Sequence, residues 1–327
     1  MVDVPIIDLL KNEEELIVDL HRACKDCGFF YVINHGISEE RFGEILDACR
    51  KFFSLPLDEK EKMNAKNSPQ FRGYIPFQEE KLDPTQLQGD TKEGFYIGPG
   101  IIDGQEPDRF YGPNQWPNSS ILPGWKETME EYLNECTHVG MKLLKLLGKS
   151  ISLCANDKDK QIPYDFIQHF TNPNTVVRLN HYCSTKSNPE EGIFSCGAHT
   201  DYGMITLLLT DDVPALQIYP LAGKNNNISP TSDGWINVTP KSNAFIVNLG
   251  DLMQYWSNDN YKSTLHRVIN LTNKERYSIP FFFEPNPNTI VTPLSCCSSE
   301  ENTKQIESIT FGQYLLNKYS NSHSDFK

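Results

Sequence analysis

The chain lacks any apolar run long enough to span a bilayer. Only 38% of its 327 residues are hydrophobic, and no segment approaches the roughly 18 uninterrupted apolar residues that a spanning helix needs. Positive charge is also scarce. Thirty Lys and Arg against 43 Asp and Glu leave a net charge of −13, which argues against nucleic acid or an anionic membrane as the main partner, because both select basic surface. The opening MVDVPIIDLL carries no basic run and too short an apolar stretch for a secretory signal, so a soluble, cytoplasmic protein is expected. Regular cysteine spacing is missing too. Nine cysteines, an odd number without a repeating interval, fit reduced thiols better than a disulfide framework. Cys24 and Cys27 form one CxxC with no second to complete a zinc site, so two small thiols packed at a helix end are expected.

What is present divides into a helical and a strand-like part. Val4–Asp8 reads as a short strand, and a charged amphipathic helix follows from Asn12 to Asp26. Phe29–Ile33 is dense in aromatic and β-branched residues and reads as a strand. Ser38 suits the N-cap of a helix running to Phe53, and Asp58 with Glu61 makes a capping-box pattern for the next one. His35, beside a glycine, is expected to be a turn or core histidine. A long helix is expected from Trp125 to Lys149, with Gly148 at its C-terminal end. From Thr175 to Pro285 the period shortens, and short apolar runs alternate with Gly, Pro, Asn and Asp, which points to a barrel or jelly roll. The polar stretch from Lys224 to Gly234 reads as an exposed loop, Trp235–Val238 and Ala244–Leu249 as strands, and Phe311–Tyr319 as a closing helix.

Within the strand-like part, CGAHTDYGMITLLLT from Cys196 to Thr210 sets His199 and Asp201 two residues apart. Residues i and i+2 of an extended segment face the same way, so one strand is expected to present both as metal ligands. His266, in the apolar run STLHRV, is the third candidate. Two neutral imidazoles and a carboxylate on one side of a metal leave the other positions free, the arrangement of non-haem Fe(II) oxygenases. An HxD pair by itself is more often incidental, and His266 alone would be a core histidine.

The next motif shifts that balance. Arg276 and Ser278, in RYSIPFFF, share a face and would grip a carboxylate with a planar fork and a hydroxyl. Asn180 and Tyr182, in VVRLNHYC, offer two more polar groups at the same spacing. Fe(II), Asp201, a dicarboxylate keto acid and Arg276 together carry no net charge, as burial demands. A zinc hydrolase or a metal-storing barrel would use the three ligands but leave Arg276 and Ser278 without purpose. Asp251 is expected to bond backbone in the Gly250 turn, because a fourth ligand would overcrowd the metal.

The segments GFFYVINHGI (28–37), GAHTDYGMITLLL (197–209), NLGDLMQYWSNDNYKSTLHRV (248–268) and RYSIPFFFEP (276–285) resemble the 2-oxoglutarate and Fe(II)-dependent oxygenases, in their isopenicillin N synthase-like branch. The similarity covers nearly the whole chain. It implies an α+β protein with a double-stranded β-helix (jelly-roll) core and flanking helices, mainly N-terminal. Residues 1–120 would form a helical and edge-strand region and 121–327 the oxygenase core, in one compact unit. His199, Asp201 and His266 would hold iron, and Arg276, Ser278, Tyr182 and Asn180 the 2-oxoglutarate, with no catalytic residue beyond the metal centre.

The implied reaction consumes O2 and 2-oxoglutarate, with ascorbate as a stimulant, releases succinate and CO2, and oxidises a small organic substrate, usually by hydroxylation. The region 67–118 would supply edge strands and substrate contacts such as Arg72, Tyr74 and Tyr96, although a solvated edge of packed rings is as good a reading. The alternative is an oxidase of the isopenicillin synthase or ethylene-forming type that does not use 2-oxoglutarate. In the synthase a glutamine near the C-terminus covers the iron. No glutamine follows Gln313 here, and Gln313 falls in the expected helix.

Overall fold

The computed structural model describes residues 4–83, 86, 88–155, 162–219, 234–297 and 309–322. The expected loop from Lys224 lies outside these residues except for Gly234. No helix among the described residues is long and apolar enough to cross a membrane.

Four strands precede the long helix: β1 (Ile6–Asp8), β2 (Phe29–Ile33), β3 (Gly73–Ile75) and β4 (Lys92–Ile97). Eight follow it: β5 (Asn174–Tyr182), β6 (Cys196–His199), β7 (Ile205–Thr210), β8 (Leu216–Tyr219), β9 (Ile236–Asn237), β10 (Phe245–Leu249), β11 (Leu265–Val268) and β12 (Arg276–Glu284). They form an eight-stranded sheet in the order β1-β2-β10-β7-β12-β5-β4-β3 and a four-stranded one in the order β6-β11-β8-β9. From β6 onward the chain alternates between the two: β6 in the small sheet, β7 in the large, β8 and β9 in the small, β10 in the large, β11 in the small and β12 in the large. That alternation is the double-stranded β-helix. The large sheet joins strands from before and after residue 120. Leu216 and Ile218 of the small sheet pack on Phe29, Tyr31 and Ile246 of the large one.

The period of two along β12 sorts its side chains. Tyr277, Ile279, Phe281 and Phe283 join the main core with Met129, Tyr132, Val139 and Leu143 of the long helix α4 (Trp125–Ser150), each large side chain contributing roughly 1.5–3 kcal/mol by leaving water. The even-numbered residues face the other way, into the barrel. Gly148 lies inside α4 rather than capping it; a Cβ there would stand 2.0 Å from the Tyr164 carbonyl oxygen, so the glycine permits a close chain crossing.

The N-terminal helices α1 (Glu13–Asp26) and α2 (Glu39–Phe53) begin at their expected caps, Asn12 accepting from the Glu15 amide and Ser38 from the Arg41 amide. The Asp58–Glu61 capping box does not form. The short helix α3 (Leu57–Glu61) starts from Pro56, whose ring presets the backbone, and this places Asp58 inside the first turn with no cap to make. Two further helices, α5 (Asp251–Trp256) and α6 (Phe311–Ser322), complete the α-helices among the described residues. Cys24 and Cys27 are buried thiols at the end of α1.

Candidate active site

His199 ends β6, and His266 lies directly opposite it on β11. Asp201 is in neither strand. The expectation of two ligands from a single strand is corrected here, because β6 stops at His199 and residues 200–204 carry the chain from the small sheet to the large one, where β7 begins. Asp201 sits on that crossover, so its carboxylate reaches both imidazoles. Its Oδ1 is 3.8 Å from His199 Nε2 and 3.7 Å from His266 Nε2. Among the described residues, these three form the group of His, Cys, Asp and Glu suited to a metal ion, with one ligand atom from each lying within 4.8 Å of the others.

Hydrogen bonds fix which atoms face the centre. His199 Nδ1 donates to the Gly197 carbonyl at 2.8 Å and His266 Nδ1 to that of Thr264 at 3.1 Å. A carbonyl only accepts, so each Nδ1 carries a proton, and in the neutral ring the lone pair then lies on Nε2, the atom turned to the centre. Burial pushes the His266 imidazole down to about 4, with the nearby His199 adding to the effect, so it is neutral, as a ligand must be. Burial alone would raise the Asp201 carboxyl, but His266, His199, Asn248 and Thr206 together hold it below its ordinary range.

Asp201 Oδ2 accepts from Asn248 Nδ2 at 2.7 Å and Thr206 Oγ1 at 2.5 Å. These two residues are cross-strand partners on β10 and β7, and by holding Oδ2 they leave Oδ1 for the centre. The sequence reading missed both, although Thr206 is the one polar residue in the run ITLLL. Asp251 does not cap its own turn. Its carboxylate accepts from Ser263, Tyr314 and Lys318, while its amide donates to the Asp201 carbonyl at 2.8 Å. Gly250 lets this crossing happen, since a Cβ there would stand 2.2 Å from the Gly203 oxygen.

Beside the centre, β5 and β12 pair so that Arg276 faces Tyr182 and Ser278 faces Asn180. The four residues expected to act together are therefore one cross-strand patch, lining the same hollow as His199, Asp201 and His266. Ser278 Oγ is 3.4 Å from the Tyr182 hydroxyl, and the Arg276 guanidinium lies 4.9 Å from the Tyr182 ring centroid. Arg276 is 1% exposed, yet its Nε and Nη1 have no hydrogen-bond partner, and neither has Asn180 Oδ1. A buried guanidinium left in this state is costly, and a carboxylate entering the hollow would satisfy it.

Known proteins match this chain in sequence and in fold. Residues 173–285 match the model of the 2OG-Fe(II) oxygenase superfamily, and residues 4–119 match that of the non-haem dioxygenase in morphine synthesis N-terminal region. Azadirone synthase of Melia azedarach is 35% identical over 92% of this chain and 87% of its own length. The chain belongs to the 2-oxoglutarate and Fe(II)-dependent oxygenases. A homoarginine-6-hydroxylase of Arabidopsis thaliana is also 35% identical, over 93% of this chain and 88% of its own. The crystal structure of a full-length Neurospora crassa protein in complex with alpha-KG superposes with a TM-score of 0.79 at 29% identity, covering 97% of this chain and 96% of that one.

The oxygenase carries a second wall next to the centre that sequence reasoning did not single out. Arg178 makes a paired contact with Glu80 at 3.1 and 2.5 Å, and Lys92 reaches Glu80 at 2.8 Å and also Asp90. With Tyr96, Tyr202, Phe282 and Glu284, Arg178 and Glu80 border a hollow that shares His199 and Asp201 with the first. Continuing the period of two would have found Arg178, two residues before Asn180, and Glu284, two after Phe282. Of the three substrate contacts named from the sequence, Tyr96 lines this hollow. Arg72 donates to the Phe110 carbonyl and lines a neighbouring one. Tyr74 does not take part; it is buried in the core with its hydroxyl on Glu93 at 2.6 Å. His35 is a core histidine as expected, stacked on Phe42 and accepting from the Ile37 amide.

Proposed function

We propose that this oxygenase hydroxylates a small organic substrate, with His199, Asp201 and His266 as the iron ligands and Arg276, Ser278, Tyr182 and Asn180 as the 2-oxoglutarate site. One observation carries the reading: a buried arginine with two unpartnered nitrogens faces a hollow that the three candidate metal donors also face. The donor set suits ferrous iron, which prefers mixed imidazole and carboxylate ligation with open positions. Bound there, the ion would supply the oxygen chemistry that succinate and CO2 release accompanies.

The chain's own residues do the positioning. Arg276 pairs with the distal carboxylate, Ser278 and Tyr182 donate to it, and Asn180 serves the end nearer the metal. Thr206 and Asn248 hold Asp201 so that one oxygen is presented. Phe29 packs edge-on to His266, ring centroids 5.3 Å apart, and keeps water from that side. Hydroxylation is supported by the relatives named as homoarginine-6-hydroxylases, and a small substrate by the complexes of the Neurospora crassa neighbour with thymine and with 5-formyluracil. Gln313 bonds Asn317 on the exposed side of α6, away from the role a covering glutamine would have in the rival oxidase. We read the nine free thiols as those of a cytoplasmic enzyme.

The test is anaerobic addition of Fe(II) and 2-oxoglutarate. A weak visible charge-transfer band is expected, followed by succinate release when oxygen and a substrate are admitted. Iron binding with no band on adding the keto acid would refute the reading.

A further inference from the structure

Along the inward face of β12 the side chains run in steps of two, from Arg276 and Ser278 through Pro280 and Phe282 to Glu284. Their β5 partners repeat the order, with Tyr182 opposite Arg276 and Asn174 opposite Glu284. The Arg276 end has a role in the reading above. The Glu284 end has none.

Glu284 is 3% exposed and shares its hollow with His199 and Asp201. Its Oε2 accepts from Asn174 Nδ2 at 2.6 Å, and no hydrogen bond reaches Oε1 from the described residues. Asn174 is itself buried with Oδ1 unpartnered. At the far end of the barrel from the clamp, Asn174 Oδ1 is thus a buried acceptor without a donor, and Glu284 Oε1 is an acceptor open to the hollow. Arg178 is engaged by Glu80 and Lys92 by Glu80 and Asp90, and Arg72, whose charge acts on Glu284, donates to the Phe110 carbonyl. Gly203 leaves Oε1 open, since a Cβ there would stand 2.5 Å from it. Tyr96, Tyr202 and Phe282 border the hollow with ring surface.

We propose that Glu284, with Asn174 beside it, is the specificity-determining acceptor for a basic nitrogen of the prime substrate, an ammonium, amidinium or guanidinium group with several N–H donors. Asn174 holds Oε2 from the side of the neighbouring hollow, so Oε1 is the atom presented to a ligand, and a charged N–H donor makes a stronger bond to a carboxylate than a neutral hydroxyl does. Because Glu284, His199 and Asp201 border one hollow, a molecule held there by its nitrogen presents its remaining carbons to the metal side. This inference rests on the active-site assignment above.

The experiment screens small amines, guanidines, neutral N–H heterocycles and phenols against the Fe(II) and 2-oxoglutarate-loaded enzyme. Anaerobic perturbation of the visible band reads binding, and succinate release reads turnover. Basic nitrogen compounds should be the class that binds. Burial keeps a proton on Glu284 until a ligand enters, and a bound cation displaces it to solvent; Glu284→Gln cannot ionise, so it should weaken binding of the basic compounds roughly 10- to 100-fold, and Glu284→Asp should recover part of it. If the band forms and neutral heterocycles or phenols bind and turn over equally in wild type and Glu284→Gln, the assignment of Glu284 is wrong while the active-site reading stands. If no band forms in the wild type, both fall.

Discussion

His199 and His266 face each other across β6 and β11 in direct register, with ring centroids 4.2 Å apart. Strand pairing within the small sheet thus brings together two imidazoles far apart in the chain, while the carboxylate between them arrives from the crossover to the other sheet. Replacing either histidine by alanine should abolish Fe(II) retention and leave a folded barrel. Metal content and a thermal melt of each variant check this; an alanine variant that keeps full iron and activity would exclude that histidine as a ligand.

Asn248 holds Asp201 by one oxygen, and in the proposed site it would act on the metal through that carboxylate. Asn248→Ala should lower metal affinity about 10- to 100-fold. The 2-oxoglutarate requirement at saturating iron should stay near that of wild type, because Asn248 is absent from the Arg276–Tyr182 patch. Competition with a chelator measures the first effect and succinate release the second.

For Arg276→Ala, the cost falls on the cosubstrate. Removing the buried guanidinium should weaken 2-oxoglutarate binding by about 2–5 kcal/mol, and lysine should restore only part, since it has no planar fork. Initial rates against each substrate separate the cases. A change confined to the prime-substrate KM would assign the clamp to the other ligand.

Gly250→Ala should damage the centre from outside it. The added Cβ would meet the Gly203 oxygen at 2.2 Å and the Asp201 oxygen at 2.9 Å, so the crossover must shift. We expect a destabilisation of about 1–3 kcal/mol, together with reduced iron binding, as measured by denaturant unfolding and metal content.

Burial, with Asp201 adding its charge, pushes the Glu284 carboxyl up to about 8 against the pull of Asn174 and Arg72. Between its ordinary 4.5 and that value the folded protein holds a proton that the unfolded chain releases, so this group's contribution to stability falls as pH rises through the window. The metal-free Glu284→Gln variant should therefore gain in melting temperature relative to wild type more at about pH 8.5 than at about pH 5. Parallel shifts at both pH values would show that the carboxyl ionises normally.

Much of this was legible in order along the chain. The caps at Asn12 and Ser38, the long helix from Trp125, and the strand identities of RYSIPFFF and VVRLNHYC all follow from local pattern, because capping chemistry and periodicity act over a few residues. The candidate ligands at 199, 201 and 266 were readable as residue types, since a metal needs such side chains wherever they lie; that they converge is what the structure adds. Even the mistake at Asp58 was local: Pro56 sets the helix start two residues earlier. What the sequence could not decide is which strand lies beside which. Whether Asp201 extends β6 or turns into β7 depends on how the sheets stack. So does the distance from Asn248 to Asp201, since Asn248 reaches that carboxylate only because β10 pairs with β7. The buried state of Glu284 has the same origin, because the wall around it is assembled from β4, β5, β6 and β12. Side-chain chemistry is written in the residue order; its convergence is a property of long-range pairing.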